Sequence, residues 1–570
     1  MLKRLIVSLL GVTLAVAASA AEDAAEILLR HGVFHTESGT ASPTVEGSLA
    51  MRAGRIVYLG PDVGAQAFAG KQTRQIELAG RAVTPGLIDA HSHLTGYAFD
   101  LGQVDLRDSR TFDEVVERVR LAAAKAPAGA WVRGRGWDQN LWPGKQFPTH
   151  EALSGAVADH PVYLTRIDGH AALINAAAMK VLGIVTETPD PSGGRYLRLP
   201  DGSPSGVLVD RAMDAVESRL PEPTAAELMP RLRQAAANCL AVGLTTVTDM
   251  GVSEREIALY DAAVAEGGLP LRVSVFLSDE DALLADWLPR GPRLDPSARL
   301  QIRGIKMYAD GALGSRGAAL VEPYSDDSGN MGLLVTPGDH MAAVAEQALA
   351  RGFQVAVHAI GDRGNLVALD ALERALGGPR PDVRWRIEHA QILRLQDIER
   401  MAKLGIIASM QPTHATSDMG WAPDRLGPYR LIGAYAWRKV LRAGGQLALG
   451  SDFPVESIDP RLGIYSAVTR QDRAGNPAGG WLPGERLTRE EALRGFTLDA
   501  ARSLFWENEI GSLEVGKRAD LVVFASDPLD PKAVPDKDLA TVPVDMTFVD
   551  GRIVYERASN RTDRGKARRP

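Results

Sequence analysis

The feature that most constrains the fold is a repeat of short apolar segments, each followed by a helical stretch rich in Ala and Leu. Residues 341–349, for example, have helical composition and precede the apolar run 354–357. Strands that alternate with helices form parallel sheets, because the chain must cross over the sheet between neighbouring strands. The predicted strands end near His93, Asp249, Phe276, Lys306, His358, His389, Gln411 and Asp452. Eight such units predict an α/β fold of the (β/α)8 TIM-barrel type.

The lengths of the segments predict further domains around this barrel. The barrel region, residues 81–500, is much longer than the about 250 residues that a TIM barrel typically needs. The excess lies between the first two strands, so a large inserted subdomain is predicted at about residues 105–230. Residues 21–80 and 501–556 instead contain short β-like runs separated by turns. Because neither piece is large enough to be stable alone, we predict that they form one composite β-sandwich domain.

Residues 1–20 have the pattern of a secretory signal peptide. Lys3 and Arg4 give a basic start, residues 5–17 an apolar core, and residues 18–20 a cleavage site of small side chains. An uncleaved anchor helix is the alternative, although the apolar run is short for a bilayer. We therefore expect a periplasmic or secreted protein that has no membrane contact after cleavage. Residues 557–570 are predicted to be a flexible tail.

The charges and the cysteine content exclude several functional classes. The net charge is −7 and both signs are mixed along the chain, so the electrostatic pattern of a nucleic-acid-binding protein is missing from the sequence. Cys239 is the only cysteine. Neither an intrachain disulfide nor a metal site of several cysteines can therefore form.

Polar side chains stand at the ends of several predicted barrel strands. His91 and His93 form a His-x-His pair, and residues two apart in a strand point to the same face. The other strand-end residues are Lys306, His358, His389 and Asp452. Because the C-terminal ends of all TIM-barrel strands open on one face, these six side chains are predicted to converge. Imidazole and carboxylate groups bind divalent transition metals, which indicates a metal site with room for two ions.

Each of these residues also has an ordinary structural explanation when it is taken singly. A histidine at a strand end is often a hydrogen-bonded core residue, and a lysine there is often solvated or ion-paired. An aspartate that follows Ser451 and precedes Phe453 and Pro454 commonly caps a turn or a helix. The metal interpretation depends on all six occurring in barrel order.

Longer motifs give the chain a family resemblance. The motifs are TPGLIDAHSH (84–93), GRGWDQ (134–139), DGHAA (168–172), KMYADGALGSR (306–316), HAIGD (358–362), EHAQ (388–391) and GSDFP (450–454), with GSLEVGKRADLV (511–522) at the return to the β domain. With these motifs the chain resembles the metal-dependent amidohydrolase superfamily, and specifically its YtcJ-like branch, amidohydrolase family 3. The resemblance extends from about residue 24 to 556.

The resemblance implies a ligand set and a cofactor. It implies that His91 and His93 bind one metal ion, and that His358 and His389 bind a second. Lys306 would bridge both ions as an N6-carboxylated lysine, and an anionic bridge is physically reasonable because an ammonium group would be repelled there. Asp452 would contact the first ion and the attacking water. Two divalent ions, with zinc favoured, are therefore the expected cofactors.

The implied activity is hydrolysis of an amide or another carbon–nitrogen bond in a small molecule. A metal-activated hydroxide would attack the carbonyl carbon, and Asp452 would act as general base and then as general acid. Alternatives on the same site are hydrolysis of an ester or a cyclic amide, and deamination. A binding protein that kept the metal barrel without catalysis is a further alternative. No nucleic-acid partner is expected, and formation of a homo-oligomer is left open.

Several other residues are candidates for substrate contact. Arg316, in a glycine-flanked loop, can meet a substrate carboxylate or form a structural ion pair, and residues 421–437 can form a lid or a packed arm. Packing of the subdomain is the alternative role for Trp137 and His170. The full set of candidates is Trp137, Asp138, Asp168, His170, Arg316 and His414.

Overall fold

The computed structural model describes residues 24–39, 43–221 and 223–558. The predicted signal peptide and residues 559–570 of the predicted tail lie outside the described residues. Within the described ranges, no helix has the length and apolarity that a membrane span requires.

The first part of the chain forms strands of a β domain. These strands are β1 (Ile27–His35), β2 (Thr44–Arg52), β3 (Arg55–Gly60), β4 (Arg74–Glu77) and β5 (Ala82–Pro85), with helix α1 (Asp62–Ala65) after β3. Strand β1 pairs antiparallel with β2 on one side and parallel with β4 and β5 on the other.

Strand β6 (Leu87–Ser92) and helix α2 (Leu94–Asp100) lead into the inserted region. Its strands form one sheet with the order β11-β12-β10-β9-β8-β7. They are β7 (Val104–Asp105), β8 (Val132–Trp137), β9 (Val162–Arg166), β10 (Ala171–Ile174), β11 (Gly194–Arg198) and β12 (Pro204–Asp210). The accompanying helices are α3 (Phe112–Ala123), α4 (Glu151–Ala156), α5 (Ala176–Leu182) and α6 (Asp214–Glu217). The region has apolar clusters of its own, which lie on the two faces of this sheet.

Seven further parallel strands form the barrel with β6. They are β13 (Leu244–Val252), β14 (Arg272–Ser278), β15 (Leu300–Tyr308), β16 (Gln354–Ala359), β17 (Arg386–His389), β18 (Ile407–Met410) and β19 (Gln446–Leu449). They pair in sequence from β6 through β13 to β19. Strands β6, β16, β17 and β18 are buried along their whole length, as expected where helices cover a parallel sheet from outside. The predicted TIM barrel is confirmed.

Helices surround this barrel. They are α7 (Ala225–Ala241), α8 (Glu254–Ala265), α9 (Asp281–Arg290), α10 (Gly338–Arg351), α11 (Asp362–Leu376), α12 (Leu395–Leu404), α13 (Pro412–Asp418), α14 (Ala422–Arg430), α15 (Trp437–Arg442), α16 (Pro460–Thr469), α17 (Arg489–Gly495) and α18 (Leu498–Ser503). Helix α7 begins at a capping box, in which the side chains of Thr224 and Glu227 each accept a hydrogen bond from the other's backbone N–H.

Backbone hydrogen bonds just beyond β19 close the barrel against β6. The N–H of Asp452 donates to the carbonyl oxygen of His91 at 2.8 Å, and the N–H of His93 donates to that of Phe453 at 2.8 Å. Residues predicted to bind metal thus also join the first barrel strand to the last.

The C-terminal strands complete the β domain. Strands β20 (Leu521–Phe524), β21 (Val544–Val549) and β22 (Arg552–Glu556) pair with one another, and β20 pairs antiparallel with β5. Segments from both ends of the chain therefore share one mixed sheet and one apolar cluster. Arg272, at the start of β14, joins the barrel to this domain through Asp520 at 2.6 and 2.8 Å and Asp550 at 2.5 Å.

Candidate metal centre

The six residues predicted to bind metal lie together at the C-terminal end of the barrel. His91 lies in β6 with His93 directly after it, Lys306 in β15, His358 in β16, His389 at the end of β17, and Asp452 shortly after β19. The ring centroids of His91 and His389 are 4.7 Å apart, and those of His358 and His389 are also 4.7 Å apart. The parallel arrangement of the strands thus brings together residues that are far apart in sequence.

His91, His93 and Asp452 form a compact donor group. Oδ1 of Asp452 lies 3.3 Å from Nε2 of His91 and 3.2 Å from Nε2 of His93. One donor atom from each residue lies within 4.8 Å of the others. Two imidazoles and a carboxylate form a donor set suited to a divalent transition ion such as zinc. These residues therefore fit a metal.

Hydrogen bonds on the far side of three imidazole rings fix how they face the centre. Nδ1 of His91 is 2.5 Å from Oε2 of Glu388, Nδ1 of His93 is 3.0 Å from the carbonyl oxygen of Met250, and Nδ1 of His389 is 2.9 Å from Oε1 of Gln411. All three oxygens are acceptors, so each Nδ1 carries the proton and donates it. Each Nε2 is then left with a lone pair for a metal.

Glu388 lies in the EHAQ motif, and the sequence alone indicated no role for it. It is fully buried and accepts hydrogen bonds from Arg386 at 2.7 and 2.9 Å. Burial alone raises the pKa of Glu388, but the charge of Arg386 and then the interaction with His91 lower it far below its usual value. The ionised carboxylate orients His91. An Arg and a Glu two residues apart inside an apolar strand were the available signal.

Lys306 lies against the histidines. Its Nζ is 3.4 Å from Nε2 of His91, and its side chain is buried. Burial lowers the pKa of Lys306 to about 8, although the carboxylates of Glu388 and Asp452 act in the opposite direction. The amine therefore loses its proton more easily than that of an exposed lysine.

His358 uses one ring nitrogen for a contact with the backbone. Its Nε2 lies 3.4 Å from the carbonyl oxygen of Gly311, to which it donates. Burial, and then the charge of Lys306, lowers the pKa of His358 well below its usual value. The ring is therefore neutral, and Nδ1 is the atom that remains available as a ligand.

Asp89 and Asp310 are buried carboxylates that shape the loops around the centre. Asp89 accepts from the N–H of Ser451 at 3.0 Å and from its hydroxyl at 2.6 Å. Asp310 accepts from backbone N–H groups after β16, at 2.8 Å for Gly361. Burial raises the pKa of each to about 7. These two carboxylates, which were not predicted as site residues, hold the loops that carry Asp452 and follow His358.

A cleft of about 1610 Å³ opens over the metal residues. Four of the six predicted substrate-contact residues line it, namely Asp138, Asp168, His170 and His414. Trp137 lies instead in an apolar cluster of the insertion, where its Nε1–H donates to the carbonyl oxygen of Leu164 at 2.8 Å. Arg316 pairs with Asp326 at 2.9 Å. The contacts of these two residues are those of the structural alternatives considered for them.

The comparisons with known proteins identify the family. A family model described as the amidohydrolase family matches residues 74–555. The chain belongs to the amidohydrolase family. The predicted membership is confirmed, and with it the class of metal-dependent hydrolases that act on carbon–nitrogen bonds.

Individual relatives span nearly the whole amidohydrolase chain. YtcJ of Bacillus subtilis is 32% identical and covers 86% of this chain and 92% of YtcJ. The N-substituted formamide deformylase of Arthrobacter pascens is 30% identical and covers 89% of this chain and 94% of the deformylase. A solved structure of a metal-dependent hydrolase from Pyrococcus furiosus is 32% identical, with a TM-score of 0.69. The match covers 88% of this chain and 100% of that chain.

The insertion gives the amidohydrolase a charged, ordered cleft wall. Arg166 is fully buried and contacts Asp138 and Asp168, each at 2.5 Å. Burial alone raises the pKa of Asp168, but Arg166 and His170 lower it below its usual value. His170 in turn lies 3.0 Å from Asp210 through Nδ1. Arg166, which was not predicted, holds both acidic residues in place.

The segment 421–437 is anchored at both ends. Trp421 lines the cleft and is 7% exposed, while Trp437 is fully buried. Tyr435 donates to Asp418 at 2.6 Å. Tyr429, between them, is 85% exposed. The ends therefore match the packed arm that was one of the two expectations for this segment.

Proposed function

We propose that this amidohydrolase cleaves an amide or a related carbon–nitrogen bond in a small molecule. The observation that carries the proposal is the position of Asp452 between the nitrogens of His91 and His93, at the bottom of a large cleft. N-substituted formamides are the first substrates to test, because the Arthrobacter pascens relative is named for them.

The residues that would hold the cofactor are those implied by the family resemblance, and the donor atoms of His91, His93 and Asp452 support the first position. His91, His93 and Asp452 would hold one ion, and His358 and His389 would contribute to a second, with Lys306 as a carboxylated bridge and zinc as the ion. When bound, the metal would polarise the substrate carbonyl and acidify a water molecule.

Asp452 would move the proton. Burial alone raises the pKa of this carboxyl, but His91 and His93 lower it well below its usual value, so it is ionised at neutral pH. It can therefore take a proton from the attacking water and deliver it to the leaving nitrogen. A carbon–oxygen bond forms, the carbon–nitrogen bond breaks, and an acid and an amine leave.

The test uses purified protein with its metal content measured first. Zinc-loaded protein should release free amine from N-substituted formamides, N-acyl amino acids or dipeptides, and a chelator should abolish the release until zinc is restored. Cleavage of esters alone by metal-replete protein would reject the amide proposal in favour of the ester alternative. Release of ammonia from an aminated ring would favour the deaminase alternative.

The Lys306 bridge has its own test. Lys306→Ala should lose bound metal and activity, because the anionic bridge is removed. Short carboxylic acids should restore part of both by supplying a substitute bridge. Parent-like metal content in Lys306→Ala would argue against the bridge.

Export is a further part of the proposal, supported by the composition of residues 1–20. The mature chain would begin at Ala21. Intact-mass measurement on protein from the exported fraction checks this, and a mass that includes residues 1–20 would reject it.

A further inference from the structure

We propose that His414 is a metal ligand, and that with His389 and Asp452 it completes the second metal position. This inference rests on the proposed function only in assuming that the cleft holds divalent ions. It changes the role of His414, which the sequence indicated only as a substrate contact.

The chain places His414 by a short helix. Strand β18 ends at Met410, and Pro412 occupies the first position of α13, where a proline favours the start of a helix. His414 therefore stands in the first turn, directly above the C-terminal end of the strand. Its ring is 5.7 Å from that of His389, and the two planes are inclined by only 19°.

The Nε2 atom of His414 is buried and has no hydrogen-bond partner among the described residues. The residue as a whole is 9% exposed. Buried polar atoms are nearly always paired, so a buried nitrogen without a partner requires an explanation. A nitrogen that binds a metal keeps its lone pair free of protein hydrogen bonds, which accounts for this one.

The distances distinguish ligation from hydrogen bonding. Nε2 of His414 lies 3.6 Å from Oδ2 of Asp452. A charge-assisted N–H···O bond would be about 2.7–2.9 Å long. Two ligand atoms of one tetrahedral zinc, each about 2.0–2.2 Å from the ion, lie roughly 3.3–3.6 Å apart. The separation of His414 from Asp452 therefore fits two ligands of one ion better than a hydrogen bond.

The two oxygens of Asp452 face different partners. Oδ1 lies near Nε2 of His91 and His93, whereas Oδ2 lies near His414. One donor atom from each of His389, His414 and Asp452 lies within 4.8 Å of the others, in the same way as for the group of His91, His93 and Asp452. A single carboxylate thus faces two separate donor groups, as a residue that bridges two ions would.

His170 offers a matched control in the same cleft. Its ring is 5.7 Å from that of His358, but its Nδ1 is already paired with Asp210 at 3.0 Å. Among the described residues, His170 belongs to neither of the two groups of donor atoms that could hold a metal ion, so it should not bind one. Removing it tests the effect of losing any cleft histidine.

The experiment is a metal titration of the full mature protein with Zn²⁺ and Co²⁺. The parent should bind two ions. His414→Asn should keep the first ion and bind the second at least about tenfold more weakly, the lower range for loss of a group that supports a metal. The absorption spectrum of bound Co²⁺ should change in the same variant. His170→Asn should keep both ions and the parent spectrum.

Two additional variants guard against a folding artefact. His414→Gln keeps more of the side-chain length, and circular dichroism and the thermal midpoint report whether each variant is folded. In His414→Gly, added imidazole should restore the second ion by occupying the vacated ring position. A folded His414→Asn that binds two ions with parent affinity would overturn the inference, as would a parent that binds only one.

The outcomes separate this inference from the proposed function. If two ions bind in a way that depends on His414 but no amide is cleaved, the proposed amide hydrolysis is rejected and His414 remains a metal ligand. Amide cleavage in which His414→Asn raises KM while both ions remain bound would make His414 a substrate contact and overturn the inference.

Discussion

The two ends of the barrel treat buried charge in opposite ways. At the N-terminal end, the Arg272 guanidinium is fully buried and is matched by the carboxylates of Asp520 and Asp550. At the C-terminal end, Nζ of Lys306 faces an imidazole nitrogen at 3.4 Å, and Nε2 of His414 has no hydrogen-bond partner among the described residues. The buried cation of the first end is paired with carboxylates, whereas the second end brings a lysine amine and imidazole nitrogens close together. We therefore expect the first end to contribute mainly to stability and the second mainly to chemistry.

Replacing Arg272, whose guanidinium is paired with two carboxylates, should give the largest loss of stability. Arg272→Ala leaves Asp520 buried without its partner, which should cost about 3–5 kcal/mol in the free energy of unfolding. Urea denaturation measures this cost, and metal content per folded molecule should not change. Arg233→Ala, which removes an exposed partner of Glu266, is the control and should change stability little. A loss of metal in folded Arg272→Ala would mean that the two ends are not independent.

At the C-terminal end of the barrel, removing the carboxylate of Asp452 should lower kcat more than it lowers the stability of the fold. Asp452→Asn keeps the shape and one possible ligand oxygen, but it cannot take up a proton. We expect kcat per metal-loaded molecule to fall by at least about 10²-fold. Measurements of kcat, metal content and thermal midpoint on this variant separate the roles. Near-normal turnover in metal-replete protein, together with a lower thermal midpoint, would leave Asp452 only a capping role.

Glu388 combines the two roles: its charge is paired with Arg386, and its carboxylate orients His91. Glu388→Gln removes the charge that holds the imidazole, so metal affinity should fall by about 10–100-fold. Competition with a chelator measures the affinity, and the thermal midpoint of metal-free protein reports the separate cost to the Arg386 pair. Unchanged affinity would mean that the remaining contacts suffice to orient His91.

The smallest effect is expected at Arg316. Its guanidinium is paired with Asp326 and neither residue lines the cleft, so Arg316→Ala should cost less than about 1 kcal/mol in stability. KM should change by less than about twofold for neutral and anionic substrates alike. A large rise in KM for anionic substrates alone would place Arg316 at the substrate after all.

The sequence predicted the part of the site that depends on periodicity. His91, His93, His358 and His389 occupy strand ends, and parallel strands in a barrel must present those ends on one face. Trp137 and Arg316 could not be resolved in the same way, because a tryptophan or an arginine serves packing and ion pairs equally well. Their contacts are made with Leu164 in β9 and with Asp326, and the chain must fold before these neighbours are in place.

Other site residues were hidden because their partners are distant in sequence. Glu388 is separated from His91 by 297 positions, so nothing local indicates that the two meet. Arg166 is similar, since its two carboxylate partners come together only once the sheet of the insertion has formed. His414 was placed near the site by its position after a strand. The atom that His414 presents to the cleft, and the partner of that atom, depend on how helix α13 folds.

The hydrogen bonds that close the barrel have a consequence for how the protein acquires its metal. His91 comes from the first barrel strand and Asp452 from just beyond the last, and their backbones are joined at 2.8 Å. A nascent chain that lacks β19 therefore has no complete centre. Metal binding that uses both residues would thus be a late event in maturation. For a chain translocated before folding, the metal pool of the receiving compartment, rather than that of the cytosol, would select the ion.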